Sequence, residues 1–331
     1  MKFSELAAHH EMKINKVKKH GGGVFGSLVR TVLIVGICFT ILFPIIFMIL
    51  SSFKTASDIY DETVVWIPRS FSFSSVASNY SDAMLLLDYW VALLGSLKYV
   101  GITTLLQVAS SCFIGYGFAR FKFIGNRVLF MFVILTIIMP QFTTLVPTFL
   151  NFQSFDPFGI LKLFGLKPLN FSNTYWPFVL TCLTGFGFRS GLFIFIMKQF
   201  FESIPKELPE AASIDGSGTM RTFFRIMLPS ATGAIITVML FAIVWQWTDV
   251  QNTTIFLSEE AVLMKALQGI PGKFLELIST GKSFFPSNRV GADMTIIVQT
   301  GVLVVIAPVL IMYVALQKYF AESIDKTGLV E

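Results

Sequence analysis

The sequence predicts an all-α membrane protein with six transmembrane helices and both termini on the cytoplasmic side. Three observations predict it. Hydrophobic residues make up 54% of the chain and charged residues only 14%, against about 25% charged in an ordinary soluble domain, and the mean hydropathy is +0.72. Six runs reach, or nearly reach, the roughly 20 apolar residues needed to cross a hydrocarbon core. Lysine and arginine crowd into alternate connections between those runs.

The runs Val32–Leu50, Tyr99–Ala119, Val128–Leu150, Leu228–Thr248 and Met294–Gln317 contain no Asp, Glu, Lys or Arg, and Trp176–Met197, fourth in the chain, is interrupted only by Arg189. Open strands are excluded at membrane depth because unpaired backbone groups find no water there. A barrel would alternate in segments of about ten residues, and these runs are continuous. The first run follows a polar stretch, exceeds the roughly 7–15-residue core of a secretory signal and has no small-residue cleavage site after it, so it is expected to be retained.

Charge sets the orientation. Fifteen Lys and Arg residues fall on one side: in the N-terminal segment, at Arg120, Lys122 and Arg127, at Lys198, Lys206, Arg221 and Arg225, and in the tail. Eight fall on the other, spread over longer loops. The richer side is cytoplasmic by the positive-inside rule. The net charge of +5 therefore reflects membrane-flanking cations, and no nucleic-acid partner is expected.

A single transmembrane domain is expected over 28–320, with a basic arm at 1–27 and a cytoplasmic tail at 321–331. Gly21-Gly22-Gly23 should break any helix in the arm. The exterior segment 53–93 is too long for a turn and predicts a cap with an amphipathic helix around Asn79–Leu87. Segment 151–175 carries turn signals at Asp156-Pro157, Gly159, Gly165 and Lys167-Pro168. Segment 249–293 is long enough for contact with something outside. Cys38, Cys112 and Cys182 read as small hydrophobes inside spans, and His9, His10 and His20 share the arm without metal-ligand spacing. No catalytic, cofactor or metal site is expected.

The fourth connection, 199–229, is the most informative segment. Pro209 suits a first helical turn, Glu207 and Glu210 complement the helix dipole, and Ala211 and Ala212 combine helix propensity with small bulk. Gly216 and Gly218 permit the left-handed conformation that ends a helix, and Pro229 stands at the beginning of the next span, where it is tolerated. Two short helices at a hinge follow. An amphipathic connector on the membrane surface would share these features.

Glu210-Ala211-Ala212, three residues ending in Asp215, then Gly216, nine residues, Ile226, one residue and Leu228-Pro229 resembles the EAA loop of importer permeases of the ATP-binding cassette (ABC) class. Leu42–Met48, Ser51–Lys54, Gly115–Phe121, Met139-Pro140, Leu169–Trp176 and Gln317–Phe320 are similar to the maltose-type carbohydrate permeases of that class, so the resemblance covers roughly 30–331. Gly95–Lys98, where those proteins begin with Asn-Ser, and Ser323–Lys326, in place of a Gly-rich ending, depart from it.

The resemblance implies the type I importer permease fold in a bacterial cytoplasmic membrane. It also implies partners: ABC ATPase subunits that bind ATP and Mg, a homologous second permease, an extracytoplasmic solute-binding protein, membrane lipid and a carbohydrate substrate moved by alternating access. Glu210, Ala211, Ala212, Asp215, Gly216, Ile226, Leu228 and Pro229 would couple to the ATPase, with Ala211 and Ala212 against its groove. The chain has no phosphate-binding loop of its own. Gly281-Lys282-Ser283 supplies the second half of one, but Glu276 stands where its first glycine is required.

Polar groups at membrane depth are functional candidates. Arg189 must face protein or water, and could equally snorkel or anchor helix packing. Trp245, Gln246, Trp247 and Asp249 combine rings with hydrogen-bonding groups suited to a sugar, although tryptophan also favours membrane interfaces. Gln107, Gln141 and Gln299 are weaker candidates. A permease for a peptide, amino acid or other solute would share the loop, whereas a secondary transporter would not need it.

Overall fold

The computed structural model describes residues 2–69, 71–281 and 290–328, with side chains for 26–69, 71–281 and 291–317. Lys282 and Ser283 of the incomplete phosphate-loop pattern lie outside the described residues, as do the side chains of the arm and tail. Among the described residues the structure is helical, apart from one isolated bridge pairing Phe155 with Leu169.

α1 (Lys2–Ser52) carries the first span and runs through Gly21-Gly22-Gly23 without the expected break. Glycine costs about 1 kcal/mol per helical position relative to alanine, but unlike proline it keeps its N–H. α2 (Ala56–Tyr60) and α3 (Phe73–Leu87) form the expected cap, the latter extending the amphipathic stretch by two turns toward its start. Buried Lys54 ties the cap down by donating to the carbonyls of Val64 and Val65 at 3.1 and 2.9 Å. α4 (Tyr89–Arg120) is the second span, unbroken over 32 residues.

The next three runs are not straight helices. The third splits into α5 (Asn126–Ile138) and α6 (Gln141–Gln153), bent by 106°. Pro140 causes this: it lacks an N–H and forces Met139 out of the helical region, to ψ 127°. A 3₁₀ turn at Pro157–Gly159 leads to α7 (Ile160–Leu163). The fourth run divides into α8 (Trp176–Leu183) and α9 (Ser190–Ser203), with Gly185 and Arg189 left-handed in the gap at φ 80° and 60°.

The fourth connection holds α10 (Glu207–Ile214), α11 (Thr219–Thr222), a π-helical turn at Phe223–Met227 and α12 (Leu228–Ser230). α13 (Thr232–Trp247) leaves it at 76°. α14 (Val250–Phe256), α15 (Leu263–Ser279) and α16 (Val290–Gly328) complete the chain. Three helices, Gly26–Ser52, Tyr89–Arg120 and Gly291–Gln317, are long and apolar enough to cross a membrane unbroken. The remaining expected spans are built from broken pieces.

α4 is the spine. It packs most extensively on α9 and then on α13, while α16 packs on α1, α3, α13 and α15. Association among helices in lipid depends on close packing rather than on escape from water, and the α4–α9 contact has that form. A Cβ on Gly115 would stand 2.7 Å from Met197 Cβ and 2.9 Å from the Lys198 nitrogen. Two cores result. One, toward the Tyr89 end of α4, gathers Leu87, Tyr99, Phe178, Trp247, Phe256 and Phe274. The other, toward Arg120, gathers Tyr116, Phe193, Met197, Phe201, Phe223 and Met227. The first span lies at the edge, with its Leu28–Phe43 apolar side chains exposed.

Candidate functional site

Two polar regions stand out, one at each level of α4. The first is the fourth connection. Its inner side is anchored in the second core by Phe223 and Met227, both essentially inaccessible, and Phe223 lies 4.8 Å from the Tyr116 ring. Arg120 ties the end of α9 to α4 by donating from Nη2 to the Ile204 carbonyl at 2.6 Å. Ala212 is buried within the chain, while Glu207, Glu210, Ala211, Asp215 and Gly216 are exposed. Of the two alanines, only Ala211 is therefore free to meet a partner. Leu208, Ile214 and Met220 add apolar surface to the same region, Ile214 being 87% exposed.

The ends of α10 follow from its residues. Pro209 falls in the first turn beside the two glutamates. At the other end Ser217 N donates to Ala212 O at 2.8 Å and Gly216 takes φ 76°, a helix stop that glycine adopts without strain. Gly218 does not use its left-handed freedom. It is extended, at φ −71° and ψ 161°, because it caps α11 and accepts from Thr222 N at 3.0 Å. Ile226 lies in the π turn, where Leu228 N–H reaches back five residues to Phe223 O just before Pro229, which has no N–H to offer. Such bulges recur at functional positions.

The second region is a polar seam between the two cores. Tyr99 OH stands 2.8 Å from both Gln246 Oε1 and Asp249 Oδ2, and its one proton serves them in turn. Gln246 Nε2 donates to Gln107 Oε1 at 3.1 Å, and Gln107 Nε2 donates to Ser190 Oγ at 2.9 Å and to the Phe188 carbonyl. Asp249 also caps α14, accepting from Asn252 N at 3.1 Å and from its Nδ2 at 2.8 Å. Trp247 is buried and donates from Nε1 to the Val305 carbonyl at 3.1 Å. Gln246, Trp247 and Asp249 are thus engaged inside the chain.

Arg189 differs. Its side chain is exposed, and among the described residues it has no ion pair or side-chain hydrogen bond. Its guanidinium lies 4.4 Å above the Trp245 ring, which is itself stacked on Phe193 and Phe241 at 5.4 Å each.

Residues 111–326 match the family model described as the binding-protein-dependent transport system inner membrane component. The chain belongs to this family. It is a permease subunit of an ABC importer, a membrane component and not an enzyme. It is similar to the polygalacturonan/rhamnogalacturonan transport system permease protein YtcP of Bacillus subtilis (strain 168), 28% identical over 290 residues that cover 85% of this chain and 89% of the relative. It is also similar to the diacetylchitobiose uptake system permease protein NgcG of Streptomyces coelicolor, 26% identical over 86% of this chain and 83% of the relative. Among solved structures, a chain from a bacterial ABC transporter involved in the import of the acidic polysaccharide alginate superposes with a TM-score of 0.66, covering 90% of this chain and 96% of that one. At 21% identity the match establishes a shared fold.

In this permease the sequence pattern located the fourth connection but missed its exposed Leu208, Ile214 and Met220. It also missed Tyr99, Phe188 and Ser190 in the seam. Only a polar side chain inside an apolar run could have signalled Tyr99 or Ser190, and neither type is rare there.

Proposed function

We propose that this permease carries a carbohydrate across the bacterial cytoplasmic membrane by alternating access, with both termini inside. An extracytoplasmic solute-binding protein delivers the sugar, and a homologous second permease completes the pathway. Two ATPase subunits bind ATP and Mg, and one of them docks on the exposed face formed by Glu207, Glu210, Ala211, Ile214, Asp215 and Met220. Closure of the ATPase pair draws these loops together and rocks the spans, a rigid-body coupling in which both ligands bias one element.

The observation that carries the coupling is the two-sidedness of the fourth connection. Its outer face is acidic and apolar, and its inner face is locked into the second core through Phe223 and Met227, with Ala212 buried beside them within the connection. Force applied outside would therefore reach α9 and α13 without loss in a flexible linker. Ile226, Leu228 and Pro229 serve as the rigid inner arm. The carbohydrate assignment is supported by the names of the two relatives above, which give polygalacturonan/rhamnogalacturonan and diacetylchitobiose as what they transport.

Reconstitution tests the proposal. Glu210→Lys should lower ATP-driven sugar uptake and retention of the ATPase subunit on purification, while membrane insertion stays intact. Uptake by this chain alone, unaffected by nucleotide depletion, would defeat the reading.

A further inference from the structure

We infer that Arg189 binds a carboxylate of the transported solute, so that the substrate class is an acidic oligosaccharide; this rests on the carbohydrate reading above. Depth comes first. The residues on either side of Arg189 are held by Gln107, through the Phe188 carbonyl and the Ser190 hydroxyl. Gln107 lies thirteen residues before Arg120 on α4, about 20 Å at the helical rise of 1.5 Å per residue. That is well inside a hydrocarbon core of about 30 Å. A charge at such depth facing lipid is costly, so exposed intramembrane arginines face water or a partner group.

The surroundings leave the cation uncompensated. Asp249, the acid of the seam, gives its carboxylate to Tyr99 and Asn252, and Gln107, Ser190 and Gln246 bond to one another. Arg189 also stands at the N-terminus of α9, where the helix dipole adds charge of the same sign. Broken helices whose positive ends face the pathway are a known way of holding an anion at midplane. The break between α8 and α9 supplies such an end here, and Gly191, two residues on, packs against α5, with no room for a Cβ beside Val133 O (2.9 Å), seven residues before Pro140.

The arginine is also aimed. Its backbone is left-handed at φ 60°, rare for a residue with a side chain, and its guanidinium lies against two rings, Trp245 at 4.4 Å and Phe188 at 5.2 Å. Neither ring offers an acceptor in its plane, so the N–H edge has no side-chain hydrogen-bond partner among the described residues, and that edge is what pairs two-pronged with a carboxylate. A neutral sugar would give such an edge nothing to neutralise it.

The test uses the assembled transporter, with its ATPase subunits, second permease and binding protein, in proteoliposomes. The probes are trimers of galacturonate, glucuronate and mannuronate and the methyl ester of each, which keeps the sugar but removes the charge. The expected result is that wild type prefers at least one acid to its ester. Arg189→Gln should cut that acid-to-ester uptake ratio by on the order of 10- to 100-fold, the worth of a hydrogen-bonded pair with a charged group. Arg189→Lys should keep part of the preference, since it retains the charge without the fork. Because every variant uses the same binding protein, that protein's own preference cancels. An unchanged ratio in Arg189→Gln, or equal loss of acid and ester in both variants, overturns the inference and points to a carboxylate on a neighbouring subunit. Wild type that takes up neutral trisaccharides but no uronide also overturns it, while leaving the carbohydrate reading in place. Wild type that takes up no sugar but does take up peptides removes both.

Discussion

The fourth connection and the seam at Gln107 use polar residues in opposite ways. In the connection, apart from the Arg120 anchor on Ile204, hydrogen bonds run mostly between backbone groups a few residues apart, and charged side chains such as Glu210 and Asp215 point outward. In the seam, the partners across it are 81 to 150 residues apart in sequence, and Tyr99, Gln107, Gln246 and Asp249 are all buried. A polar group facing water is free for a partner. One at membrane depth is mostly consumed by the fold, since leaving it unpaired costs several kcal/mol, although the hydroxyls of Thr104, Ser111 and Thr300 and the Gln299 side-chain carbonyl oxygen are buried without a hydrogen-bond partner. Polar character inside a span is therefore weak evidence of a solute site, and a full charge left exposed and without an ion pair, as Arg189 is among the described residues, is much stronger evidence.

This contrast predicts its largest effect at Gln107. Gln107→Leu removes a donor from the Phe188 carbonyl and from Ser190, and an acceptor from the Gln246 amide. Each buried group left unpaired costs about 1–3 kcal/mol, so thermal unfolding of the purified transporter should move down by several degrees. A midpoint that does not move would mean the seam is solvated and available to solute, which would erase the distinction between the two regions.

The next effect separates two neighbouring alanines. Ala212→Leu forces extra methylenes into a filled site and should destabilise by about 1–3 kcal/mol. Ala211→Leu, on the exposed face, should change stability by no more than about 0.5 kcal/mol yet reduce co-purification of the ATPase subunit. The opposite pattern would reverse the assignment of inner and outer faces.

Much of the fold is legible in the sequence because it depends on local chemistry. Apolar runs mark the spans, and the spacing from Glu210 to Pro229 marks the connection; the 106° bend at Met139-Pro140 is not marked, because Val128–Leu150 reads as one continuous apolar run. What the sequence hides depends on pairing at a distance. Trp247 and Asp249 look like path residues when read in order, but the fold spends one on Val305 and the other on capping α14. Gly21-Gly22-Gly23 reads as a break because propensity is counted residue by residue, whereas α1 is continuous there. The division of the fourth span rests on left-handed Gly185 and Arg189, and nothing about an arginine announces that conformation. The π turn at Phe223–Met227 is equally silent, since no residue type requires it.

The smallest predicted effect lies between the two glycines of the connection, and it tests whether its geometry or its flexibility matters. Gly216 is left-handed with open space around its Cα, and Gly218 is extended, also in open space. Neither position is crowded, so a methyl group at either meets nothing, and only backbone preference separates them. Gly216→Ala should cost about 1–2 kcal/mol, the left-handed penalty for a residue with a Cβ. Gly218→Ala should be neutral or slightly stabilising, by about 0.4–1 kcal/mol, because the unfolded chain loses freedom. If coupling depends on a fixed helix stop at Gly216, sugar uptake should fall in the first variant and hold in the second. Equal loss of uptake in both, with unfolding midpoints unchanged, would show that the segment works as a flexible hinge and that its rigid inner anchoring is not what transmits force.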